Sequence, residues 1–326
     1  MRAKGVPGAL AVILLVVTVA ALTMPGAGMT ASQAWCALLG TETGLARTVV
    51  TQWRAPRVAA AVTVGAALAL SGSLFQALTR NPLGSPDIIG FSSGAYTGVI
   101  CAIVLGYAGF GGQILGALAG GLATAAIVAV LSLRTRVEGL RIILVGLGIS
   151  AMLSALNRWL ITRGDLQTKM SAASWGAGSL NGIRWPVALP AGVFLLVAMA
   201  AALLLRRGLD ALALGDDTAH GLGLGVNRFK ALLLLAGVVL IAASTAVAGP
   251  IAFVALAAPH IAQGLTRAQR VPLVSTALVG ACLLTASDIV AQRAFHPTAL
   301  PVGLVTVVVG GVYLLLYIAR SARTFS

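Results

Sequence analysis

Eight carboxylates, three histidines and three cysteines are the side chains whose types could carry acid–base, metal or nucleophilic chemistry, and their spacing offers little of it. The acids are Glu42, Asp87, Glu138, Asp165, Asp210, Asp216, Asp217 and Asp288, and just one pair of them is adjacent. His220, His260 and His296 lie far apart with no HxxxH spacing, and Cys36, Cys101 and Cys282 form no CxxC pair. A bound metal is therefore not expected; the cysteines read as small apolar residues. Lys4, Lys169 and Lys230 are the lysines, and none stands in a GxxxxGK[ST] phosphate loop, so the chain is not expected to bind ATP in that manner. No Ser/His or facing-acid spacing suggests an intramembrane enzyme. What stands out is LALGDDTAHGLGLG, residues 212–225, where Asp216 and Asp217 sit beside a histidine and four glycines.

The setting of that island is oily. Of 326 residues, 59% are hydrophobic and 9% charged, with mean hydropathy +0.99. A soluble domain carries about 25% charged residues. So much apolar surface needs lipid as its solvent, and the chain is expected to be an all-α integral membrane protein. About 20 apolar residues cross the hydrocarbon layer as a helix. Ten segments qualify: 8–24, 58–78, 90–106, 113–133, 142–161, 187–205, 231–248, 251–264, 272–290 and 301–319. The first follows Arg2 and Lys4 like a signal peptide, but its apolar run is long and more membrane follows, so it is read as a retained span. The eighth begins at Gly249-Pro250, which predicts a broken start; such backbone needs shelter from lipid. The 39 glycines fit close helix packing. With no linker or soluble domain in sight, residues 1–326 are expected to form one transmembrane domain, with 206–230 as a cytoplasmic loop within it.

The net charge of +14 is topological and does not point to nucleic acid. With both termini in the cytoplasm, the outside holds Arg47, Arg54, Arg57, Arg158, Arg163, Lys169, Arg184 and Arg293. The other fourteen of the 22 bases face the cytoplasm, as the bias of Lys and Arg toward that side requires. Eight outer bases are more than topology alone calls for.

A charge at a helix centre costs about 2.5–3.5 kcal/mol on insertion scales, so a buried acid marks a function. None of the eight acids stands mid-span; Asp288 lies near the outer end of the ninth segment. Proton- or sodium-coupled transport is disfavoured. Driving energy from ATP would have to come through a separate subunit that needs a surface to push on. The island supplies a candidate: 209–222 can form one or two short helices, with Leu209, Leu212, Leu214 and Leu222 for packing and the two acids near a helix start. A solvated connecting loop is the plainer reading.

Several motifs fall in order: RAPR (54–57), GAALALSGSLFQALTRNPLGSPDIIGFSSGA (65–95), GSLNG (178–182), LGDDTAHGLGL (214–224), AGPIAFVALAAPHIA (248–262) and LPVGLVTVVVGG (300–311). Over nearly the whole chain they resemble the permeases of ABC importers for iron–siderophore complexes, haem and cobalamin. NPLGSPDIIGF, GSLNG, GDDTA and VGLVTVVVGGVYL carry a closer likeness to the ferric-enterobactin type.

The resemblance implies a type II importer bundle of about ten transmembrane helices, a ferric-siderophore cargo of catecholate type, and no cofactor on this chain. Haem, cobalamin or a hydroxamate siderophore are the alternative cargoes. It implies a second permease chain, two ATPase subunits that use the ATP, and an extracytoplasmic binding protein. Leu212, Leu214, Gly215, Asp216, Asp217, Thr218, Ala219 and Leu222 then match the loop that sits on the ATPase. Arg54 and Arg57, otherwise interfacial anchors, become docking charges for acids on the binding protein, with Arg293 beside them. Asn81, Pro82, Leu83 and Pro86 make a rigid inner turn. With Gly249, Pro250, Pro259 and His260 they are read as structural turn or gate residues, His260 as a packing or hydrogen-bonding group. Ser71, Ser73, Ser244 and Thr245 read as packing hydroxyls before path-lining ones. The chain departs from the family pattern at Gln263, Gln292, Ala299 and Val312, which fits one partner of a heterodimer, with a homodimer as the other possibility.

Overall fold

The computed structural model describes residues 5–26, 28–87, 89–107, 109–133, 139–163, 166–268, 271–294 and 299–322. Arg2, Lys4, Arg134, Arg136, Arg270 and Arg323 of the charge argument, with Glu138, Asp165 and His296, lie outside them. The helices in chain order are α1 (Val6–Thr23), α2 (Ala31–Leu38), α3 (Leu45–Thr48), α4 (Ala55–Thr79), α5 (Phe91–Val104), α6 (Phe110–Leu133), α7 (Gly139–Arg163) and α8 (Leu166–Gly176). They continue as α9 (Trp185–Leu204), α10 (Arg206–Leu212), α11 (Asp216–Gly221), α12 (Val226–Ala248), α13 (Val254–Thr266), α14 (Leu273–Arg293) and α15 (Val302–Ala322). Each of the ten expected segments coincides with a helix. Among the described residues, seven helices are long and apolar enough to cross a membrane by length and composition; 91–104 and 302–313 are shorter apolar stretches, and α13 has 13 residues.

The core forms around α4, because that helix is apolar on every side. Its membrane segment is 83% buried within the chain, against 11% for α1 and for α7, so α4 is central and the other two lie on the surface of the bundle. Small residues bring its neighbours close. Gly65 of α4 lies against the backbone of Gly280 on α14, where a Cβ on either would overlap the other's carbonyl. The same device joins α5 and α6 through Gly98 and Gly116. Ser71 Oγ donates to Gly237 O of α12 at 2.7 Å, so this hydroxyl packs helices together.

Pro259 sits inside α13, and a proline there leaves the carbonyl four residues earlier, Ala255 O, without its helical donor. The chain shelters it: Gly72 of α4 comes so near that a Cβ would fall on Ala255 O. Gln76 Nε2 donates to the next carbonyl, Leu256 O, at 3.2 Å. The expected broken start of the eighth segment is present as a non-helical stretch, 249–253. Gly249 (φ 71°) turns the chain there and Phe253 (φ 70°) caps α13 in the left-handed region.

Two further parts of the chain are helical where the sequence reading had no element. Residues 31–54 form α2, α3 and a π-helical stretch Val49–Arg54 that runs into α4. Residues 166–176 form α8. The signal for α2 is local: Thr30 and Gln33 make a reciprocal capping box.

Candidate functional site

At one end of the bundle the island folds into α10 and α11. Leu209 and Leu212 are buried at its base, and Gly208 allows α10 to lie on the ring of Phe229. Gly215 (φ 109°) occupies backbone space that L side chains rarely enter, so it reverses the chain and starts α11. Asp216 and Asp217 fall in the first turn, where negative charge is favoured.

The two acids have different surroundings. Asp216 Oδ1 accepts from Arg80 Nη2 and its Oδ2 accepts from Lys230 Nζ, each at 2.6 Å. Asp217 is exposed and has no ion-pair partner among the described residues. Ala219 is buried, whereas Leu214, Thr218 and Leu222 are exposed, the two leucines at 64% and 65%. The island therefore grips its own bundle through Leu209, Leu212, Asp216 and Ala219. It presents Leu214, Asp217, Thr218 and Leu222 to whatever lies below.

Arg80 links this island to the inner turn. It ends α4 in the left-handed region (φ 49°), and Asn81, Pro82, Leu83, Gly84, Ser85 and Pro86 follow. Asn81 Oδ1 accepts from Leu83 N at 2.9 Å, and Gly84 N donates to Asn81 O at 2.9 Å, which closes the turn. His260 Nε2 donates to Pro82 O at 2.7 Å, so the turn is tied to α13 as well. A cavity of about 200 Å³ lies between them, lined by Ser73, Gln76, Arg80 and His260 among others. At the end of the turn, burial pushes the Asp87 carboxyl up to about 6, against the opposing hydrogen bonds from the Ser92 and Ser85 hydroxyls.

At the opposite end of the bundle the arginines of the RAPR motif diverge. Arg54 Nη1 donates to Leu22 O at 3.0 Å and to Met24 O, and Nη2 donates to Gly26 O, so it caps the carbonyls that end α1. Arg293 Nη2 donates to Pro25 O at 3.2 Å and is exposed. Arg57 differs from an outward-facing docking charge. Its guanidinium is turned inward as a fork on Asp288, Nε to Oδ2 at 2.8 Å and Nη2 to Oδ1 at 2.7 Å. The side chains are 15% and 3% exposed. The physical reason is Asp288 itself, a carboxylate carried at the buried outer end of α14 that needs a cation.

Three motifs meet beside this pair. Arg57 Nη1 donates to Asn181 Oδ1 of GSLNG at 2.6 Å. Ser179 N donates to Ala248 O at 2.7 Å, just before Gly249-Pro250, and Gly303 N of LPVG donates to Gly178 O at 3.0 Å. The approach is close enough that a Cβ on Gly178 would strike Pro250 O. Beside this knot lies a cavity of about 630 Å³, lined by Gln113, Trp175, Ser179, Asn181 and Val247 among others. The sequence reading placed Arg80 and Lys230 among the topological bases and assigned no role to Asn181 or Asp288. No local signal joins Arg57 to Asp288, which stand 231 positions apart.

The chain is thus a helical bundle with apolar spans, a structured island at one end and a knot built from its motifs at the other. The sequence profile of the FecCD transport family matches residues 13–320. This chain belongs to that family. The FecCD chain is 47% identical over 293 residues to the ferric enterobactin transport system permease protein FepG of Escherichia coli (strain K12), covering 90% of this chain and 88% of the relative. It is 38% identical to the hemin transport system permease protein HmuU of Yersinia pestis, covering 82% of each. Its backbone matches a solved metal-chelate type ABC transporter in an inward-facing conformation, with TM-score 0.86, 28% identity and coverage of 97% and 99%. The FecCD chain is therefore a multi-pass membrane permease with the type II importer fold, a transport subunit and not an enzyme.

Proposed function

We propose that this chain is the permease subunit of an ATP-driven importer that carries a ferric siderophore of catecholate type across the cytoplasmic membrane. The cargo follows the FepG relative, whose name specifies ferric enterobactin. The haemin permease among the relatives makes haem the second reading. Iron enters as cargo, and ATP is hydrolysed by a partner subunit.

One observation carries the mechanism: the inner island is anchored on one face and bare on the other. Leu214, Asp217, Thr218 and Leu222 form the bare face, on which an ATPase subunit sits. Force applied there passes through Asp216 to Arg80 and Lys230, hence to the ends of α4 and α12. From Arg80 the inner turn reaches α13 by way of Pro82 and His260. A push on the island thus reaches three spans through direct contacts, as switching between inward and outward access requires. A second permease chain, most readily an unlike one, completes the path, and two ATPases complete the motor. Both termini face the cytoplasm, as the distribution of bases supports. Outside, Arg293 and Arg54 meet acids of a binding protein, while Arg57 contributes through the fold.

The test is uptake by cells lacking this chain, offered labelled ferric catecholate, ferric hydroxamate, haem and cobalamin. Loss of ferric-catecholate uptake alone is the expected result. Selective loss of another cargo overturns the cargo assignment. A loss of uptake that does not depend on ATP overturns the importer mechanism.

A further inference from the structure

Two cavities adjoin at the knot, and their linings differ in kind. The first is the 630 Å³ cavity, walled by Gln113, Trp175, Ser179 and Asn181, with no charged side chain in its lining. The second, of about 400 Å³, is a groove with no polar side chain in its lining. Its walls are Ile114 and Leu118 of α6, Pro190 and Phe194 of α9, and Ala243 and Ala246 of α12. Both volumes fall in the range of about 300–1,000 Å³ that small-molecule sites occupy. Val187 and Val247 line both spaces, so the groove meets the cavity across these two valines. From there the groove follows α9 down to Phe194, roughly 10 Å at about 1.5 Å per residue. Helices α6 and α9 each pack against α12 and scarcely against one another. The groove is therefore a gap between two spans that no described side chain fills.

Polar groups mark where the two spaces meet. Pro186 and Pro190 stand four apart on the groove wall, and Pro190 has no N–H. Pro186 O thus lacks its helical donor on the face that the groove follows. In the cavity, Asn181 Oδ1 accepts from Arg57 Nη1 at 2.6 Å, so the amide presents its Nδ2 on the other side. Gln113 and Ser179 add a second amide and a hydroxyl to the same lining. A ligand that fills both spaces has a hydrogen-bonding head and a slender apolar tail. A protein segment does not fit, because its backbone N–H and C=O groups would find no partners among the apolar groove walls. A phospholipid does fit, and a membrane bundle meets phospholipid along every span. The lining also holds no carboxylate to repel a phosphate.

We propose that the polar cavity and the apolar groove form one binding site for a bilayer phospholipid, its phosphate head beside Asn181 and Gln113 and one acyl chain laid between α6, α9 and α12. The bound chain fills the gap between α6 and α9 and ties both to the knot. The site lies at the opposite end of the bundle from the island, and the inference holds whatever cargo the permease carries.

The chain purified in detergent with its native partner subunits supplies the test, read by native mass spectrometry and by the midpoint of thermal unfolding. The probe is dipalmitoyl phosphatidylethanolamine, with glycerophosphoethanolamine as its head alone and palmitate as its chain alone. Gly111→Leu blocks the groove, and a Cβ at Gly111 meets nothing within 4 Å, so the new side chain enters open space. Should that variant fail to copurify with its partners, Ala191→Leu makes the same block from the wall of α9. Gln113→Leu removes a polar group from the cavity at similar size. Leu115→Ala is the control, because Leu115 is 69% exposed on α6 and lines neither space. The lipid is expected to remain on the parent complex through washing and to raise its unfolding midpoint, as a ligand of the folded state does. Gly111→Leu and Gln113→Leu are each expected to weaken its binding at least about tenfold, while Leu115→Ala binds as the parent does. Head alone and chain alone are each expected to bind at least about tenfold more weakly than the whole lipid, since neither joins the two spaces. The partner subunits are the same in every preparation, so the differences report this chain. Parental binding in the groove-blocked variant, an equal loss in Leu115→Ala, or palmitate binding as tightly as the whole lipid overturns the proposal.

Discussion

Replacing Asp216 by Asn and, separately, Asp217 by Asn divides the island's two faces. Asp216 holds Arg80 and Lys230 at 2.6 Å each, with side-chain exposure of 42% for Asp216, 52% for Arg80 and 11% for Lys230. The Arg80 arm is well solvated, so water and salt screen it to within about 0.2–1 kcal/mol. The Lys230 arm matters more, because a poorly hydrated ammonium is left without its partner. Together the loss comes to about 1–2 kcal/mol, or about 5–30-fold in a local opening equilibrium. Hydrogen exchange of the purified complex is the assay. Amides of residues 209–222 are expected to exchange about 5–30-fold faster in Asp216→Asn and at the parental rate in Asp217→Asn. Association with the ATPase subunit is expected to weaken in both, in Asp217→Asn by direct loss of a contact. Raising salt from 0.1 to 1 M, which shortens screening from about 10 to about 3 Å, is expected to narrow the exchange difference without abolishing it. Equal exchange in both variants, or none faster than the parent, would refute the division into a gripping and a presenting face.

Gly65→Val is expected to destabilise the bundle by about 1–3 kcal/mol, read as a lower midpoint of unfolding in detergent, because its side chain would meet Gly280 O and Leu284 Cβ. Asp87 gives a pH dependence. Its folded value of about 6 lies above the ordinary carboxylate value of about 3.9, so the folded chain holds this proton more tightly. That contribution is complete below about pH 4 and is lost as pH rises through about 6, so thermal stability is expected to fall over this window. Asp87→Asn is expected to flatten that part of the profile. Thr30→Ala removes the capping box of α2 and is expected to cost about 0.5–2 kcal/mol locally, seen as faster exchange in 31–38 with transport retained.

Much of the architecture is legible in the linear chain because lipid is an unforgiving solvent. Backbone groups in hydrocarbon must bond within their own segment, so spans announce themselves as long apolar runs, and each of the ten expected runs carries a helix. The island is legible for the converse reason: acids, glycines and a histidine between two such runs have no place in lipid. Gly249-Pro250 marks a break because proline lacks a donor and glycine tolerates a positive φ. The helices within 31–54 and 166–176 carry mixed, weakly periodic sequence, and the capping box at Thr30 is a sharp local sign among them.

The side-chain partnerships are a different matter. Asp216 and Asp217 are equivalent in sequence, and only packing decides that the first is gripped by Arg80 and Lys230 while the second stays bare. The arginines of RAPR likewise differ only in the folded chain, where one caps α1 and the other enters the carboxylate fork of Asp288. Composition and hydrophobic runs determine where the chain meets lipid, since that free energy adds residue by residue along the sequence. Charge pairing depends on distances of a few ångströms between residues up to 231 positions apart, and those distances exist only once the helices have packed.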